Sequence, residues 1–254
     1  MPSKSFREQV IVLRSYNLGE ADRIIVMLGK TEGQVRAVAK GIRRTSSRFG
    51  ARLASFNLVD VQCHRSTSGL HTVMQAETLR PYSALLAQDY QGYAAAKAIV
   101  EVAVRLTDNQ VETLLRQYAL LEGAIHALAY RRRPATLVAA SYMLRAIALE
   151  GWAPHLGTCA VCSTSHVVQR HLALFDAELG GQVCENCAPI GAHGIDPHVL
   201  ELMSVLLEPA WERALRFPEA TWVPACDLGA AWAEWHLEHR LYARAFLRQT
   251  LRMG

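Results

Sequence analysis

The sequence LVDVQCH, residues 58–64, places apolar and polar side chains alternately from Val59 onward. Successive side chains of a strand point to opposite faces, so this pattern predicts a half-buried β-strand with Val59, Val61 and Cys63 on its inner face. Other β-rich runs surround it within residues 1–80. They are Val10–Leu13, Ile24–Leu28, Gln34–Ala39 and Leu70–Ala76. Several short strands separated by turn-prone residues predict a small barrel or sandwich.

After Pro81 the sequence changes to Ala- and Leu-rich segments with apolar residues three and four positions apart. This spacing predicts helices over Ser83–Thr107, Val111–Arg131 and Ala135–Glu150. Asp196 and Pro197 form an N-cap and N1 pair that opens a helix to Leu207. Asp227 is expected to cap a final long helix through Arg252, and residues 152–192 are expected to be loop. The fold class is therefore α+β, with a β domain at 1–80 and a helical domain at 81–254.

Composition and charge narrow the class of protein. With 51% hydrophobic and 20% charged residues, the chain has the composition of a globular protein rather than a disordered one. No apolar run reaches the roughly 18 residues of a membrane span, and no apolar segment follows the charged N-terminus as in a secretory signal. We therefore expect a soluble cytoplasmic protein with reduced thiols.

The positive charge is concentrated at the front of the chain. Residues 1–80 contain 13 Lys/Arg against 6 Asp/Glu, whereas residues 81–254 contain 14 against 17. A basic front end on a mildly acidic remainder predicts an anionic partner for the β domain.

Four of the six cysteines form two C-x-x-C pairs, Cys159 with Cys162 and Cys184 with Cys187, and 21 residues separate the pairs. Each pair places two thiolates on a tight turn, and two such turns complete a tetrahedral Cys₄ shell. Soft thiolates favour zinc, with an iron–sulfur cluster as the alternative. The sequence therefore predicts a zinc module at about 152–192.

A closed Cys₄ shell has no open position for water or substrate, so the predicted role is structural. A zinc deaminase would need a proline before one C-x-x-C pair, which is absent here. Neither pair is expected to follow a strand and open a helix, as a redox motif would. Cys63 and Cys226 are expected to be buried hydrophobes.

The densest positive stretch is KGIRRTSSRFGAR, residues 40–52, which contains five cations and no acid. Cations pair with phosphates, hydroxyls and glycine N–H groups add contacts, and Phe49 could stack a base. The alternative is a solvated basic loop whose Phe49 packs into the core. The candidate DNA-binding residues are Arg36, Lys40, Arg43, Arg44, Arg48 and Arg52.

The phrase AVAKGIRRTSSRFGARLASFNLVDV, residues 37–61, resembles the most distinctive stretch of the RecO family of bacterial DNA repair proteins. VLRSYNLGEADRIIVML at 12–28 and GQVRAVAKG at 33–41 also match. The C-x-x-C pairs lie where many members carry a zinc module. The resemblance is strong over the first 80 residues and rests on the order of parts beyond them.

The resemblance implies an N-terminal OB-fold, then a helical domain with the zinc module inserted. It implies a recombination mediator without enzymatic turnover, which binds single- and double-stranded DNA and anneals complementary strands. The implied partners are RecR, in many bacteria RecF, and the acidic C-terminal tail of single-stranded DNA-binding protein (SSB). With them it would help to load RecA onto SSB-coated single-stranded DNA, and it would be associated with the nucleoid. No membrane and no nucleotide cofactor are implied.

Two other classes of function remain open from the residues alone. The first is a zinc-ribbon RNA-binding or transcription factor, although residues 158–192 contain one Arg and no Lys against Asp176, Glu178 and Glu185. The second is a metal-dependent nuclease. No phosphate-binding G-x-x-x-x-G-K-[ST] loop occurs. The row Arg240, Arg244, Arg248 and Arg252 is either a second binding surface or, more simply, a cationic face near a helix end.

Overall fold

Five strands close into a small barrel at the start of the chain. The computed structural model describes residues 4–108, 112–165, 168–169, 172–190 and 192–252. The strands are β1 (Ser5–Leu18), β2 (Asp22–Gly29), β3 (Gln34–Ala39), β4 (Leu58–His64) and β5 (Leu70–Arg80). They pair in the order β1-β2-β3-β5-β4, and β4 closes the barrel on β1. This is the architecture of an OB-fold, so the predicted barrel is confirmed.

The strand register accounts for the alternation in β4. Val59, Val61 and Cys63 are all fully buried in the barrel interior. Val59 lies opposite Val10 of β1 on the same inner layer. Pairing is antiparallel throughout except between β3 and β5, which run parallel. The apolar set of each strand thus fixes its register, because a one-residue slip would turn that set outward.

Three helices follow the barrel, namely α1 (Tyr82–Leu86), α2 (Tyr90–Leu106) and α3 (Leu114–Ala129). The prediction of one helix over Ser83–Thr107 is wrong, because Asp89 starts a new helix by accepting a hydrogen bond from the Gly92 N–H. The predicted start of the next helix, Val111, lies outside the described residues. The Gln34 side chain donates to the Val104 carbonyl, which ties α2 to the barrel wall.

The chain divides into two compact units, Met1–Arg132 and Arg133–Gly254. The second contains α4 (Ala135–Leu149), α5 (Pro197–Leu207), α6 (Trp211–Ala214), α7 (Trp222–His236) and α8 (Tyr242–Arg252). Helix α4 is buried along most of its length and packs against α5 and α7. The helix predicted from Pro197 is confirmed, with Asp196 accepting from the His198 N–H. No helix in the described parts of either unit is both long and apolar enough to cross a bilayer.

The sequence predicted a loop over residues 152–192, but the structure shows that this segment also contains strands. They contain strands β6 (Val168–Gln169), β7 (Leu172–Asp176) and β8 (Gly181–Val183), and β9 (His193–Ile195) follows. Strand β7 pairs antiparallel with the other three. Strands of two to five residues are too short to give a periodic signal in the sequence.

The predicted final helix from Asp227 to Arg252 is also wrong. Asp227 lies inside α7, which ends at His236, and α8 begins only at Tyr242. Between them Glu238 adopts a left-handed backbone with φ of +48°. The Glu234 carboxylate accepts from the Leu241 N–H just before α8 begins. The chain therefore turns back, so that α8 packs against α7.

Candidate nucleic-acid interface and candidate metal centre

The basic loop, residues 40–52, is fastened to the turn between β1 and β2 at one end of the barrel. The Gly41 N–H donates to Asp22 Oδ1 at 2.7 Å. The Arg43 N–H donates to the Ala21 carbonyl at 2.9 Å, and Arg43 Nη1 donates to the Gly19 carbonyl at 3.1 Å. These bonds fix the start of the loop, so its cations project from a defined backbone rather than from a free segment.

The far end of the loop is anchored by burial. Phe49 is 2% exposed and packs inside the barrel, so the hypothesis that it stacks a base is wrong. A short 3₁₀ turn over Gly50–Leu53 follows and buries Leu53 beside it. The Asn57 amide donates to the carbonyls of Ala51 and Arg52 and holds that turn against the barrel. The loop is thus pinned at both ends.

All six candidate DNA-binding residues are exposed. Five lie on the basic loop, and Arg36 lies on the outer face of β3, which leads into it. Their surroundings differ. Arg48 stacks its guanidinium over the outer side of Phe49 at 5.0 Å from the ring centroid, and Arg52 Nη1 donates to the Arg48 carbonyl. Among the described residues, no hydrogen bond or ion pair engages the side chains of Lys40 and Arg44.

Within the described part of the chain, Arg36 is the one of the six whose side chain forms an ion pair with an acid. Its Nη2 lies 3.0 Å from Asp108 Oδ1, and each side chain is 50% exposed. An exposed pair of this kind contributes about 0–1 kcal/mol and is screened by salt. A phosphate can therefore compete with Asp108 for this guanidinium.

Sequence reasoning missed three exposed or half-exposed residues beside the loop. Arg23 lies opposite Ala39 in the register, next to Lys40, and donates to the Asn17 side chain. Tyr16 and Arg14 lie on the outer face of β1, where Arg14 sits 4.9 Å from the Tyr16 ring centroid. Strict alternation from the buried Val10 and Val12 would turn Arg14 and Tyr16 inward, so no pattern in β1 indicates their exposure, which follows from the register shift between Val12 and Arg14. Asp22, at the start of β2, is the residue that fastens Gly41.

The four paired cysteines meet at one point of the second unit. Their sulfur atoms all lie within 4.8 Å of one another, and Cys162 Sγ is 3.8 Å from Cys184 Sγ. Four sulfurs at about 2.3 Å from a central ion would be about 3.8 Å apart, so the donor set fits a tetrahedral metal ion. The prediction that these four residues form one cluster is confirmed.

The sheet positions both cysteine turns. Cys184 directly follows β8, and the second pair opens a turn and no helix, so it lacks the strand-then-helix order of a redox motif. The Ala160 N–H donates to the Gln182 carbonyl at 2.7 Å and brings the first turn onto the same strand. Gly181 passes directly against the backbone of His155, where a Cβ would lie 2.3 Å from its carbonyl oxygen. A side chain there would push β8, which leads into the second turn, away from the backbone of His155.

The pKa values of the cysteine thiols are consistent with binding of a metal cation by the cluster. The backbone N–H groups of Cys162 and then Cys184 lower the pKa of the Cys159 thiol to about 6. Cys187 has its pKa raised to about 12 by hydrogen bonds with the Cys184 and Cys162 thiols. A metal ion would displace such shared protons, since metal binding releases protons from its ligands. Burial raises the pKa of Cys63 and of Cys226 to about 12, in accord with their predicted role as buried hydrophobes.

Comparison with known proteins decides the family. One family model, described as Recombination protein O N terminal, matches residues 1–82, and a second, Recombination protein O C terminal, matches residues 87–245. The chain belongs to the RecO family. The first RecO match covers the barrel with its basic loop, and the second covers helices α2 to α7 and the cysteine cluster. The predicted fold class is confirmed, and RecO membership supports a role in DNA repair and recombination.

Several proteins named DNA repair protein RecO align with nearly the whole chain. The relative from Frankia casuarinae is 41% identical and covers 96% of this chain and 99% of its own length. That from Thermobifida fusca is 41% identical over 92% and 94%, respectively. That from Streptomyces coelicolor is 39% identical over 96% and 99%.

The arginine row does not form one surface in the second unit. Arg240 precedes α8, and the Arg252 side chain lies outside the described residues. Arg244 contacts the carboxylates of Glu234 and Asp227, and Arg248 Nε lies 3.0 Å from Asp227 Oδ2. The two central arginines therefore hold α8 to α7. Their ion pairs leave them less available to a phosphate than the cations of the basic loop.

Proposed function

We propose that this chain is a recombination mediator that binds single- and double-stranded DNA through its barrel and anneals complementary strands. The observation that carries the proposal is the basic loop, an acid-free run of exposed cations fastened at both ends to an OB-fold. A fixed cationic surface can hold two phosphate backbones that would otherwise repel each other. Such annealing requires no nucleotide hydrolysis, and we propose no enzymatic turnover.

The DNA contacts are assigned to Arg36, Lys40, Arg43, Arg44, Arg48 and Arg52. The partners are those that the family resemblance implies: RecR, RecF, and the C-terminal tail of SSB, with RecA loaded onto the strand. The site of action is the nucleoid in the cytoplasm. The domain division at 1–80 and 81–254 also stays a prediction.

A structural zinc ion completes this proposal. Cys159, Cys162, Cys184 and Cys187 would hold it, and its binding would stabilise the fold of residues 152–192. The thiolate donor set and the spacing of the sulfurs support zinc. The module is not assigned a DNA-reading role, because acids outnumber cations in its sequence.

The test is the salt dependence of binding to single-stranded DNA. If four to six cations reach phosphates, the log–log slope should be about −3 to −4. The double substitution Arg43→Ala/Arg44→Ala should weaken binding of all sequences alike and flatten the slope by about 1 to 1.5 units, because phosphate contacts carry no sequence information. Annealing, followed without nucleotide, should fall furthest.

A matched control removes the same charge elsewhere. Arg213 and Arg216 are exposed arginines of the second unit, so Arg213→Ala/Arg216→Ala should leave affinity and slope unchanged. An unchanged slope in Arg43→Ala/Arg44→Ala would refute the assignment of the basic loop. Degradation of the oligonucleotide by the purified protein with magnesium would instead indicate a nuclease.

A further inference from the structure

The outer face of the barrel beside the basic loop contains an open apolar row. Tyr16 of β1 lies opposite Ile24 of β2, which in turn lies opposite Val38 of β3. Their neighbours Ser15, Ile25 and Ala37 have the opposite orientation, with Ile25 and Ala37 in the barrel core. Tyr16, Ile24 and Val38 therefore form one continuous strip across three strands, here called the Tyr16 face.

The next row of the same outer face carries cations. Arg14, opposite Val26, and Arg36, beyond it on β3, lie two residues along the strands from the Tyr16 face. A β-bulge between Val12 and Arg14 sets this orientation, because it shifts the register of β1 before it reaches Tyr16. The Tyr16 face and this adjacent row together present an aromatic ring, two half-buried aliphatic side chains and two guanidinium groups.

Tyr16 is 45% exposed, so much of its ring is open to solvent. The Arg14 guanidinium covers one side of it at 4.9 Å from the ring centroid. Among the described residues, Arg14 forms no ion pair, and its Nε is buried without a hydrogen-bond partner. The ring is therefore covered by a cation that pairs with no carboxylate of the described residues.

The Tyr16 face is continuous with the basic loop. Gly19, whose carbonyl accepts from Arg43, follows Tyr16 by three residues, a distance of about 10 Å along a strand. On β3, Lys40 follows Val38 by two residues. A strand whose phosphates lie on the basic loop would therefore bring its bases over the Tyr16 face.

We propose that Tyr16 stacks an unpaired base and makes this face selective for single-stranded DNA, an inference that rests on the proposed DNA-binding function. Bases inside a duplex present only their edges, whereas an unpaired base can lay its flat face on an aromatic ring. The basic loop contacts phosphates, which both forms of DNA present. The loop supplies affinity for either form, and Tyr16 adds affinity for single strands alone.

The experiment compares Tyr16→Ala, Tyr16→Phe and wild type on three probes by fluorescence anisotropy. The probes are a single-stranded oligothymidylate of about 20 nucleotides, longer than the ~4–16 that one OB-fold covers, a duplex of equal length, and a strand of abasic sites. Tyr90→Ala, which removes another exposed tyrosine of the same unit, is the control. Thermal unfolding by circular dichroism verifies that each variant is folded.

We expect Tyr16→Ala to weaken oligothymidylate binding by at least about 5-fold, the lower end of what one stacked base contributes. Tyr16→Phe should retain wild-type affinity because it keeps the ring. Duplex and abasic binding should change by less than about 2-fold in every variant, since neither offers an unpaired base to stack.

An equal loss on all three probes, or no loss on oligothymidylate, would overturn the inference while leaving the proposed function intact. In that case Arg43→Ala/Arg44→Ala would still weaken binding to single strands and duplex alike. If wild type bound neither form of DNA, the proposed function itself would fail, and the inference with it.

Discussion

Replacing Asp108 with Asn should tighten DNA binding, because the Asp108 carboxylate pairs with Arg36, one of the proposed phosphate-binding cations. Arg36 Nη2 lies 3.0 Å from its carboxylate, and both side chains are half exposed. A phosphate that approaches Arg36 must displace this acid. Asn is close in size to Asp and carries no charge, so the substitution leaves the guanidinium in place without its competitor.

The magnitude follows from the exposure of the pair. Exposed ion pairs contribute about 0.2–1 kcal/mol, which corresponds to a factor of about 1.4 to 5 in the dissociation constant. If Arg36 then contacts a phosphate fully, the salt slope for single strands should steepen by about 0.7. Anisotropy titrations of the same oligothymidylate between about 50 and 200 mM salt resolve both effects, and the gain should shrink as salt rises.

Two controls separate this local effect from a change in net charge. Glu32→Gln also removes one acid of the barrel unit, but Glu32 pairs with Arg65 instead of a proposed DNA contact. Arg36→Ala in the Asp108→Asn background should abolish the gain, which a double-mutant cycle measures. An equal gain in Glu32→Gln, or a gain that survives loss of Arg36, would refute the competition between Asp108 and phosphate.

Two further predictions concern stability and metal. Cys162→Ser should lose bound zinc and make residues 152–192 sensitive to protease, since binding free energy at such a site is folding free energy. Metal analysis checks this, with Val161→Ser at the neighbouring exposed position as the control. Full zinc content in Cys162→Ser would contradict the site. Phe49→Ala should lower the free energy of unfolding by about 3–5 kcal/mol because it empties part of the barrel core. Urea unfolding beside the exposed Arg48→Ala measures this, and an unchanged midpoint would show that Phe49 is not a core residue.

The fold was predictable wherever one local pattern was decisive. The alternation in β4 required a single buried face, and the C-x-x-C spacing required two turns with convergent thiolates. The Asp196–Pro197 cap marked the start of α5 because both residues favour a helix N-terminus. At each of these positions local preference and tertiary packing agree, so the sequence alone was sufficient.

The misses arose where a specific side-chain contact, closure of the barrel or a strand irregularity decides the structure, because none of these gives a local sequence pattern. Phe49 looked like a base-stacking ring because it sits among cations, and only closure of the barrel buries it. The break between α7 and α8 contains neither Gly nor Pro, and it is stabilised by the Glu234 carboxylate bonded to the Leu241 N–H. Tyr16 was not predicted because its exposure depends on a β-bulge, and no residue type in β1 indicates that bulge.

The closure of the barrel has a consequence for synthesis of the chain. Strands β1 to β3 can pair as soon as they leave the ribosome, since Leu18 and Asp22 are neighbours in sequence. The barrel closes only when Ser5 meets His64 and Arg36 meets Leu70, and such long-range pairings form slowly. Until then the nascent chain exposes two unpaired strand edges, and Phe49 has no complete core to enter. The proposed DNA-binding surface is therefore completed late, after the strands that carry Tyr16 and Arg36 have already been made.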